Sequence, residues 1–333
     1  MIWRSLSIAA CGIALLGGCD AVRYPGDGGE PPRTPPTVDP DAPPPPPPSE
    51  PVLDPYGTGE TGGEDDLDPL PVSDPVDTGD TLAPPAVDEP VEFTFSYFAP
   101  GSLTPGSGTG APDQIVHAPG LVFPIRTAPA YLQSMVWGFG GGVGGGDECD
   151  PRNYTYPWRD NFCETRTSNR SSPFCPLGRI HQGQDIRVGT PSECEILRGT
   201  AEDDRMLHEV VAVEDGVVYE IGTYTVKLRS GGRIFRYMHL NMDALQVSAG
   251  DSVLAGDVLG YVSKDFGGTP TTFHLHFEII QNTEEHGWVH VPPYLSLVEA
   301  YERREGGPGE FIDTAIAAAS APVFPPDDLI IIE

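Results

Sequence analysis

The sequence predicts a mostly β domain of antiparallel strands that follows a long segment without regular structure. Short runs rich in β-branched and aromatic residues recur from residue 91 onward, among them VVAVEDGVVYEI, YTVKLRS and FHLHFEII. Turn signals separate the runs, and Asp215-Gly216 and Gly231-Gly232 are typical of hairpins. Long amphipathic helical patterns are scarce, and SLVEAYERRE, 296–305, is the best candidate, so helices contribute little to the predicted fold.

The first 18 residues have the features of a secretory signal peptide. A single positive residue, Arg4, precedes an apolar run to Leu16 that is too short for a typical membrane span. The end of this segment, LGGC, resembles the bacterial lipoprotein box, which implies cleavage before Cys19 and lipid on its sulfur. The alternative is an ordinary secretory signal with an incidental cysteine. We expect an exported, lipid-anchored protein of the cell envelope that faces the periplasm, on either the inner or the outer membrane.

Residues 19–90 are expected to be a disordered tether. They are rich in Pro, Gly, Asp and Thr, include six consecutive prolines at 43–48, and carry too few apolar side chains to repay the entropy of ordering. A spacer without a functional length requirement is the alternative. The net charge of −30 argues against nucleic acid and against an anionic membrane surface as partners. Membrane contact is therefore expected through the lipid anchor only.

Residues 91–174 form a predicted N-terminal extension of strands and loops. The run VEFTFSYF, 91–98, alternates apolar and polar residues as a half-buried strand does. The segment GFGGGVGGGDE, 138–148, is expected to be a flexible loop, and no phosphate-binding pattern of strand, loop, Gly-Lys-Ser/Thr and helix accompanies it.

Four cysteines follow the signal and Cys19, and in an exported protein they predict two disulfides. They are Cys149, Cys163, Cys175 and Cys194. Four cysteines allow three pairings, and we expect sequence neighbours to pair, 149 with 163 and 175 with 194. A cysteine zinc site is the competing interpretation, which no C-x-x-C spacing supports.

The run FHLHFEI, 273–279, places His274 and His276 two positions apart. In a strand they share one face with Glu278, and the opposite face is apolar, with Phe273, Leu275, Phe277 and Ile279. The two histidines are expected to face outward. Taken alone, the pattern is also that of a half-exposed strand with incidental histidines.

Two further motifs supply more histidines and a carboxylate. In HQGQD, an extended backbone puts His181 and Asp185 on one face, with Gly183 leaving room between them, and YMHL ends a strand with His239. Catalytic zinc needs three protein ligands and an open position for water, which His181, Asp185 and one histidine of HLH can provide. The remaining histidines can take up a proton or stabilise an oxyanion. These residues predict a hydrolytic Zn²⁺ centre.

Together these motifs resemble the lysostaphin/LytM-type zinc metallopeptidases over about residues 175–285. The segments AVEDGVV and AGDVLGYV between the histidine motifs are similar to that family as well. The resemblance implies an antiparallel β-sheet domain of the barrel-sandwich (duplicated hybrid motif) type with a catalytic groove, which we assign to residues 175–295. It also implies a peptidoglycan endopeptidase.

The resemblance implies a role for each residue of the motifs. His181, Asp185 and His276 correspond to the zinc ligands, and His274 to the general acid/base. His239 corresponds to its partner, which orients water or stabilises the oxyanion.

The chain departs from the family in two places. It inserts SECEILRGTAEDDRML, 192–207, and it has Thr272-Phe273 where Gly-Pro is usual. Both changes are expected to affect the rim of the groove and hence substrate preference. Arg166 occupies roughly the place where relatives have an arginine before the first ligand.

We predict that this protein hydrolyses peptide crosslinks of peptidoglycan in cell-wall remodelling and is a monomer. One alternative is a non-catalytic envelope scaffold that activates an amidase, because relatives of that kind lack ligands; the complete ligand set argues against it. A second alternative is a peptidase that acts on proteins.

The other features receive structural interpretations. We expect surface or capping roles for four histidines, namely His117, His208, His286 and His290. For Tyr237, core packing is favoured over a place at the groove. Residues 296–333 form the C-terminal tail, in which no known cell-wall-binding module is evident, and its end can pack back onto the domain.

Overall fold

The computed structural model of the chain describes residues 92–268 and 271–313. The predicted signal peptide, Cys19, the tether and the final residues of the tail lie outside the described residues. Within them, the prediction of a mostly β fold with antiparallel sheets is confirmed. None of the described helices has the length and apolar character needed to span a membrane.

The described residues contain twelve strands and two α-helices. In chain order the strands are β1 Phe95–Phe98, β2 Ala130–Leu132, β3 Gln184–Val188, β4 Glu209–Val211, β5 Gly216–Ile221, β6 Thr225–Ser230, β7 Arg233–Met238, β8 Ser252–Val253, β9 Val258–Tyr261, β10 Leu275–Thr283, β11 Gly287–Val291 and β12 Gly309–Ile312. The helices are α1 Pro191–Gly199 and α2 Tyr294–Glu305.

One antiparallel sheet organises the domain. Its strand order is β2-β3-β10-β7-β6-β5-β8, and β11 pairs with the C-terminal half of β10. The described strands also form two small pairs, antiparallel β4–β9 and parallel β1–β12, and no closed barrel. Strand β10 lies between β3 and β7, so its first residues are bordered by strands on both sides.

One of the two predicted hairpins is confirmed. Gly231-Gly232 joins the antiparallel pair β6–β7. The prediction for Asp215-Gly216 is wrong, because β4 pairs with β9 whereas β5 pairs with β6 and β8. The Asp215 carboxylate accepts a hydrogen bond from the Ala255 amide at 2.7 Å, which fixes this turn to the β8–β9 connection.

The core joins the N-terminal extension to the main sheet. Phe95, Phe123 and Trp158 belong to the same buried cluster as Phe277 of β10 and Tyr301 of α2. The Trp158 indole is fully buried and donates a hydrogen bond to the Ala130 carbonyl at 2.8 Å. Burial of such large aromatic side chains on both sides makes the extension part of the cooperative core.

Tyr237 lies in the core, as expected. Its ring is fully buried between strands, and its hydroxyl accepts a hydrogen bond from the Val213 amide at 3.0 Å. Phe273 differs from the expectation, since it precedes β10 and packs in a separate cluster with Cys149, Cys194 and Leu197.

Two disulfides form, as predicted, but the expected pairing of sequence neighbours is wrong. Cys149 pairs with Cys194 and Cys163 with Cys175, each with 5.5 Å between the Cα atoms. The reason is the fold of the inserted segment. Part of it becomes α1, which buries Cys194 against the chain that follows the glycine-rich loop.

Local signals account for the two helices. Helix α1 begins with a capping box in which Thr190 and Glu193 exchange hydrogen bonds, and Pro191 is its first residue. Helix α2 contains the predicted segment 296–305 and begins two residues earlier. It ends at Gly306, whose φ of 74° is the left-handed conformation favoured after a helix. The segment 138–148 is a loop, as predicted.

Candidate active site

His181, Asp185 and His276 meet at one point of the fold. His181 Nε2 lies 2.9 Å from His276 Nδ1 and 3.1 Å from Asp185 Oδ1, and His276 Nδ1 lies 3.0 Å from the same oxygen. In a tetrahedral zinc site with bonds of about 2.0 Å, neighbouring ligand atoms are about 3.3 Å apart. The triangle therefore has nearly the dimensions of one face of such a site.

The hydrogen bonds of the two histidines show which nitrogen carries a lone pair. His181 Nδ1 is 2.8 Å from the Asn161 carbonyl, which can only accept, so Nδ1 donates and Nε2 is unprotonated in the neutral ring. His276 Nε2 donates to Glu278 Oε1 at 3.0 Å, which leaves the lone pair on Nδ1. Two nitrogen lone pairs and a carboxylate oxygen face one another. A cation at this point satisfies all three.

The charges at the site agree with this arrangement. Burial lowers the pKa of His181 to about 3 against the opposing effect of Asp185, so the ring is neutral. Burial also lowers the pKa of His276, but hydrogen bonds to Asp185 and Glu278 outweigh it and hold this pKa above its usual value. Burial raises the pKa of Asp185, yet His181 and His274 hold it well below its usual range.

The pairing of β3 with β10 brings the ligands together. Asp185 and His276 lie directly opposite each other in this antiparallel pair. His181 precedes β3, and the interposed Gly183 is essential: a Cβ there would lie 2.6 Å from the Phe277 carbonyl and 2.7 Å from His276 Nε2. We expected the missing side chain of Gly183 to leave room between His181 and Asp185. In the structure, β10 occupies the place that a side chain of residue 183 would take.

A buried arginine and backbone groups orient Asp185. Arg166 donates to Glu164 at 2.9 Å, and its Nη2 lies 3.8 Å from Asp185 Oδ2. The Asn161 side chain accepts from the Asp185 amide at 3.1 Å. These contacts hold Oδ1 toward the histidines, as supporting groups do around a metal site. Arg166 thus lies beside Asp185.

His274 and His239 lie beside the triangle with their ring centroids 4.7 Å apart. His274 Nδ1 donates to the Thr272 carbonyl at 2.7 Å, and its Nε2 lies 3.5 Å from Asp185 Oδ1. His239 Nδ1 donates to the Asp265 carbonyl at 2.8 Å, and its buried Nε2 has no hydrogen-bond partner among the described residues. Both rings therefore carry an unprotonated nitrogen next to the site.

Burial keeps both histidines neutral. Burial lowers the pKa of His274 to about 4. Burial also lowers the pKa of His239 well below its usual value, and the neighbouring His274 and His276 lower it further. His239 has a φ of 67°, a conformation uncommon for residues other than glycine and frequent at functional sites. It follows β7 directly and lies near the rings of Tyr224 and Phe266.

The site is more enclosed than the strand pattern predicted. The side chains of His274 and His276 are on the face opposite the apolar residues, as expected, but they are 3 % and 0 % exposed. His181, Asp185 and His239 are buried to the same degree. The Met135 amide lies 3.4 Å from Asp185 Oδ2, so the segment before the glycine-rich loop covers part of the site. The outward-facing prediction is wrong because both faces of β10 are packed at this end.

The sequence did not reveal every residue of the site. Glu278 was placed on the histidine face without a role, and it binds His276 Nε2, His290 Nε2 and Arg236. The i, i+2 spacing after His276 was the available signal. Asn161 supports both His181 and Asp185 from a distant loop, and no local pattern indicated it.

The remaining histidines differ in their surroundings. The surface interpretation is wrong for His117 and His208, which are buried; His117 Nε2 lies 2.6 Å from Asp113. His290 is half-buried against Glu278 at 3.1 Å, and His286 is exposed.

Residues 199–287 match the model of Peptidase family M23. The chain contains an M23 peptidase domain. The matched residues include His239, His274 and His276. His181 and Asp185 lie before them in sequence, and the structure brings both into contact with His276. The lysostaphin/LytM-type resemblance is thereby confirmed for this domain.

Several solved structures are similar to parts of the chain. A Ruminococcus gnavus protein assigned as a glycyl-glycine endopeptidase, lytM, is 26% identical over 39% of this chain and 49% of its own, with a TM-score of 0.27. The chain thus spans about half the length of that protein. The catalytic domain of lysostaphin, an antimicrobial peptidase from Staphylococcus simulans, is 21% identical over 38% of this chain and 87% of its own, with a TM-score of 0.25.

A zinc-containing peptidase from Vibrio cholerae is 19% identical over 39% of this chain and 35% of its own, with a TM-score of 0.24. No curated protein matches the chain. The roles of individual residues in the M23 domain therefore rest on the geometry described above.

Proposed function

We propose that this protein is a zinc-dependent endopeptidase that hydrolyses peptide crosslinks of peptidoglycan in cell-wall remodelling. The supporting observation is the triangle of His181 Nε2, Asp185 Oδ1 and His276 Nδ1, whose edges are 2.9–3.1 Å. Structural zinc sites are closed by four protein ligands, whereas catalytic sites have three. Three ligand atoms and two adjacent neutral histidines favour the catalytic kind.

Zinc held by these three residues would supply a Lewis acid that makes water nucleophilic near neutral pH. The proton transfers are assigned to side chains of this protein. His274 is neutral, with its unprotonated Nε2 toward Asp185, so it can take a proton from the attacking water and pass it to the leaving amine. The bond from Nδ1 to the Thr272 carbonyl fixes the ring for both steps.

His239 is suited to orienting water. Its Nδ1 donates to the Asp265 carbonyl, so Nε2 presents a lone pair and accepts a hydrogen bond. Stabilisation of an oxyanion by Nε2 requires a protonated ring, and burial opposes protonation. Of the two roles that the sequence left open, the geometry favours orientation of water.

The M23 domain and the N-terminal segment support peptidoglycan as the substrate. Residues 1–18 have the pattern of an export signal, and the LGGC sequence ending at Cys19 resembles the lipoprotein box. We propose an envelope protein anchored by lipid at Cys19. Such an anchor keeps the peptidase near the cell wall.

The test combines metal content with cleavage. Full-length protein is purified, its zinc is measured, and it is incubated with crosslinked muropeptides together with a His276→Ala variant and a His286→Ala control. We expect one zinc per chain and cleavage for the parent and the control, and neither for His276→Ala. If the parent protein neither binds zinc nor cleaves the muropeptides, the peptidase proposal is overturned and the non-catalytic scaffold is favoured. Cleavage by His276→Ala would overturn the ligand assignment.

A further inference from the structure

A buried arginine next to the proposed catalytic residues has no part in the reaction described above. Arg187 lies on β3 two residues after Asp185, so both side chains are on the same face. In the β3–β10 pair, Ile186 is opposite Leu275. One residue further along, Arg187 comes next to His274, and the positive charge of Arg187 contributes to the low pKa of His274, although burial contributes more.

One side of the Arg187 guanidinium contacts neighbouring groups, and its other side forms no hydrogen bond with the described residues. Nη1 donates to the Glu148 carbonyl at 2.7 Å, and Cζ lies 5.6 Å from the centre of the Tyr154 ring. Burial raises the pKa of Tyr154, and the charge of Arg187 and a side-chain interaction with it oppose that rise, so the guanidinium also interacts with the Tyr154 hydroxyl. Nε and Nη2 are buried and form no well-aligned hydrogen bond with the described residues. These two groups form one edge of the guanidinium, and that edge matches the two oxygens of a carboxylate.

The acidic groups nearby are engaged elsewhere. Glu148 Oε2 accepts from the Phe273 amide at 3.1 Å, and Oε1 lies 3.7 Å from Lys264. Asp185 faces the histidines and Arg166. In the described part of the chain, no carboxylate forms an ion pair with Arg187. A fully buried charge without a direct ion pair is destabilising, and a carboxylate bound at Nε and Nη2 would offset that cost.

We propose that Arg187 binds a carboxylate of the substrate close to the scissile bond and makes the M23 domain selective for anionic crosslinks. This inference rests on the proposed peptidase function and specifies its substrate class. His239 and His274 are buried as deeply as Arg187. Because Arg187 follows Ile186, which is opposite Leu275, its guanidinium lies beside His274, where a carboxylate close to the scissile bond would come near it.

The test uses pairs of crosslinked peptides that differ only by a carboxylate or a carboxamide near the cleaved bond. One pair changes a side-chain carboxylate and the other a C-terminal carboxylate, so the two sources are distinguished. For zinc-loaded full-length protein we expect kcat/KM to favour one carboxylate peptide by about 10- to 100-fold, the range of a charge-assisted hydrogen-bonded pair. Equal cleavage within both pairs would overturn the inference, whatever the variants do.

Variants then assign the preference to Arg187. Arg187→Met should reduce the ratio of kcat/KM between the carboxylate and the carboxamide peptide to below about 2-fold, and this ratio is compared within each variant. Arg187→Lys keeps the charge without the two-pronged edge and should keep part of the preference. Arg229→Met, at an exposed arginine of β6, is the matched control. A full preference in folded Arg187→Met would show a structural role only and overturn the inference.

Binding separates this inference from the proposed hydrolysis. The same peptides are titrated calorimetrically into the full-length protein and the Arg187→Met variant. Binding that requires both the carboxylate and Arg187, without cleavage of any peptide, supports the inference and overturns the peptidase. Cleavage of both peptides of each pair with equal affinity overturns the inference and leaves the peptidase standing.

Discussion

Glu278 shows how one residue determines which nitrogen of a proposed zinc ligand, His276, faces the other two proposed ligands. Its carboxylate accepts a hydrogen bond from His276 Nε2, so the lone pair of the neutral ring is on Nδ1. Burial opposes ionisation of Glu278, but hydrogen bonds to His276 and His290 and the charge of Arg236 hold its pKa well below the usual range. A permanent negative charge therefore supports the histidine.

Replacing Glu278 should weaken zinc binding. Glu278→Gln keeps the shape of the side chain and removes its charge, so His276 becomes a poorer ligand. Loss of such a supporting group lowers metal affinity by about 10- to 100-fold. Competition with a chelator measures the change, with Glu284→Gln, at an exposed position, as the control. An unchanged affinity would show that Glu278 does not tune the site.

His274 is expected to separate catalysis from metal binding. His274→Ala removes the proposed proton carrier but none of the three converging ligands, so zinc content should stay at the parent value while kcat falls by about 10²- to 10⁴-fold. Zinc analysis and cleavage kinetics on the same sample check this. Loss of zinc together with activity would mean that His274 is itself a ligand.

Among the secondary-structure elements, the β3–β10 pair builds the site and α1 borders it. The short helix of the insert carries Cys194 to Cys149, and Phe273, immediately before His274, packs against this disulfide. The insert thereby connects the glycine-rich loop region to the segment that carries His274 and His276. The position of the insert was evident from the sequence, whereas its contact with Phe273 was not.

Removing the Cys149–Cys194 bond should destabilise this region. The bond closes a loop with a sequence separation of 45, for which chain entropy predicts a stabilisation of about 4 kcal/mol and typical losses are about 2–4 kcal/mol. The double variant Cys149→Ser/Cys194→Ser is compared with the parent by denaturant unfolding. A loss below about 1 kcal/mol would show that packing alone holds α1 in place.

At the scale of the whole molecule, the described residues 92–268 and 271–313 form a core to which both the extension and the M23 domain contribute. Phe123 and Trp158 of the extension pack on Tyr301 of α2 with ring centroids 4.8 and 4.6 Å apart. The segment at Met135, which covers Asp185, belongs to the same extension. Access to the site therefore depends on residues outside the family match.

Cys19 is the residue on which the proposed location depends. In a bacterial host, Cys19→Ser should abolish incorporation of labelled fatty acid and release the protein from the membrane fraction, since the acyl chains supply the membrane affinity. Cys11→Ser, within the signal segment, is the control. Membrane retention and labelling of Cys19→Ser would contradict lipid anchoring at this residue.

The sequence by itself determined the local features. Alternation placed the histidines of FHLHFEI opposite its apolar residues, residue types predicted the β fold, and an even number of cysteines predicted two disulfides. The motifs also marked the three residues that converge at the site. Each of these features depends on neighbours a few positions apart, where strand geometry dictates which side chains share a face.

Only the tertiary structure decided the features that depend on distant residues. Two contacts join segments that are apart in sequence, namely the disulfide of Cys149 with Cys194 and the hydrogen bond from His181 to Asn161. Whether an edge of Arg187 finds a partner also depends on which distant segments pack around it. Strand pairing and burial set these contacts, and a sequence pattern carries no record of which groups remain unpaired. The fold therefore decided which nitrogen of His181 and of His276 faces Asp185, and which edge of the Arg187 guanidinium stays without a hydrogen bond among the described residues.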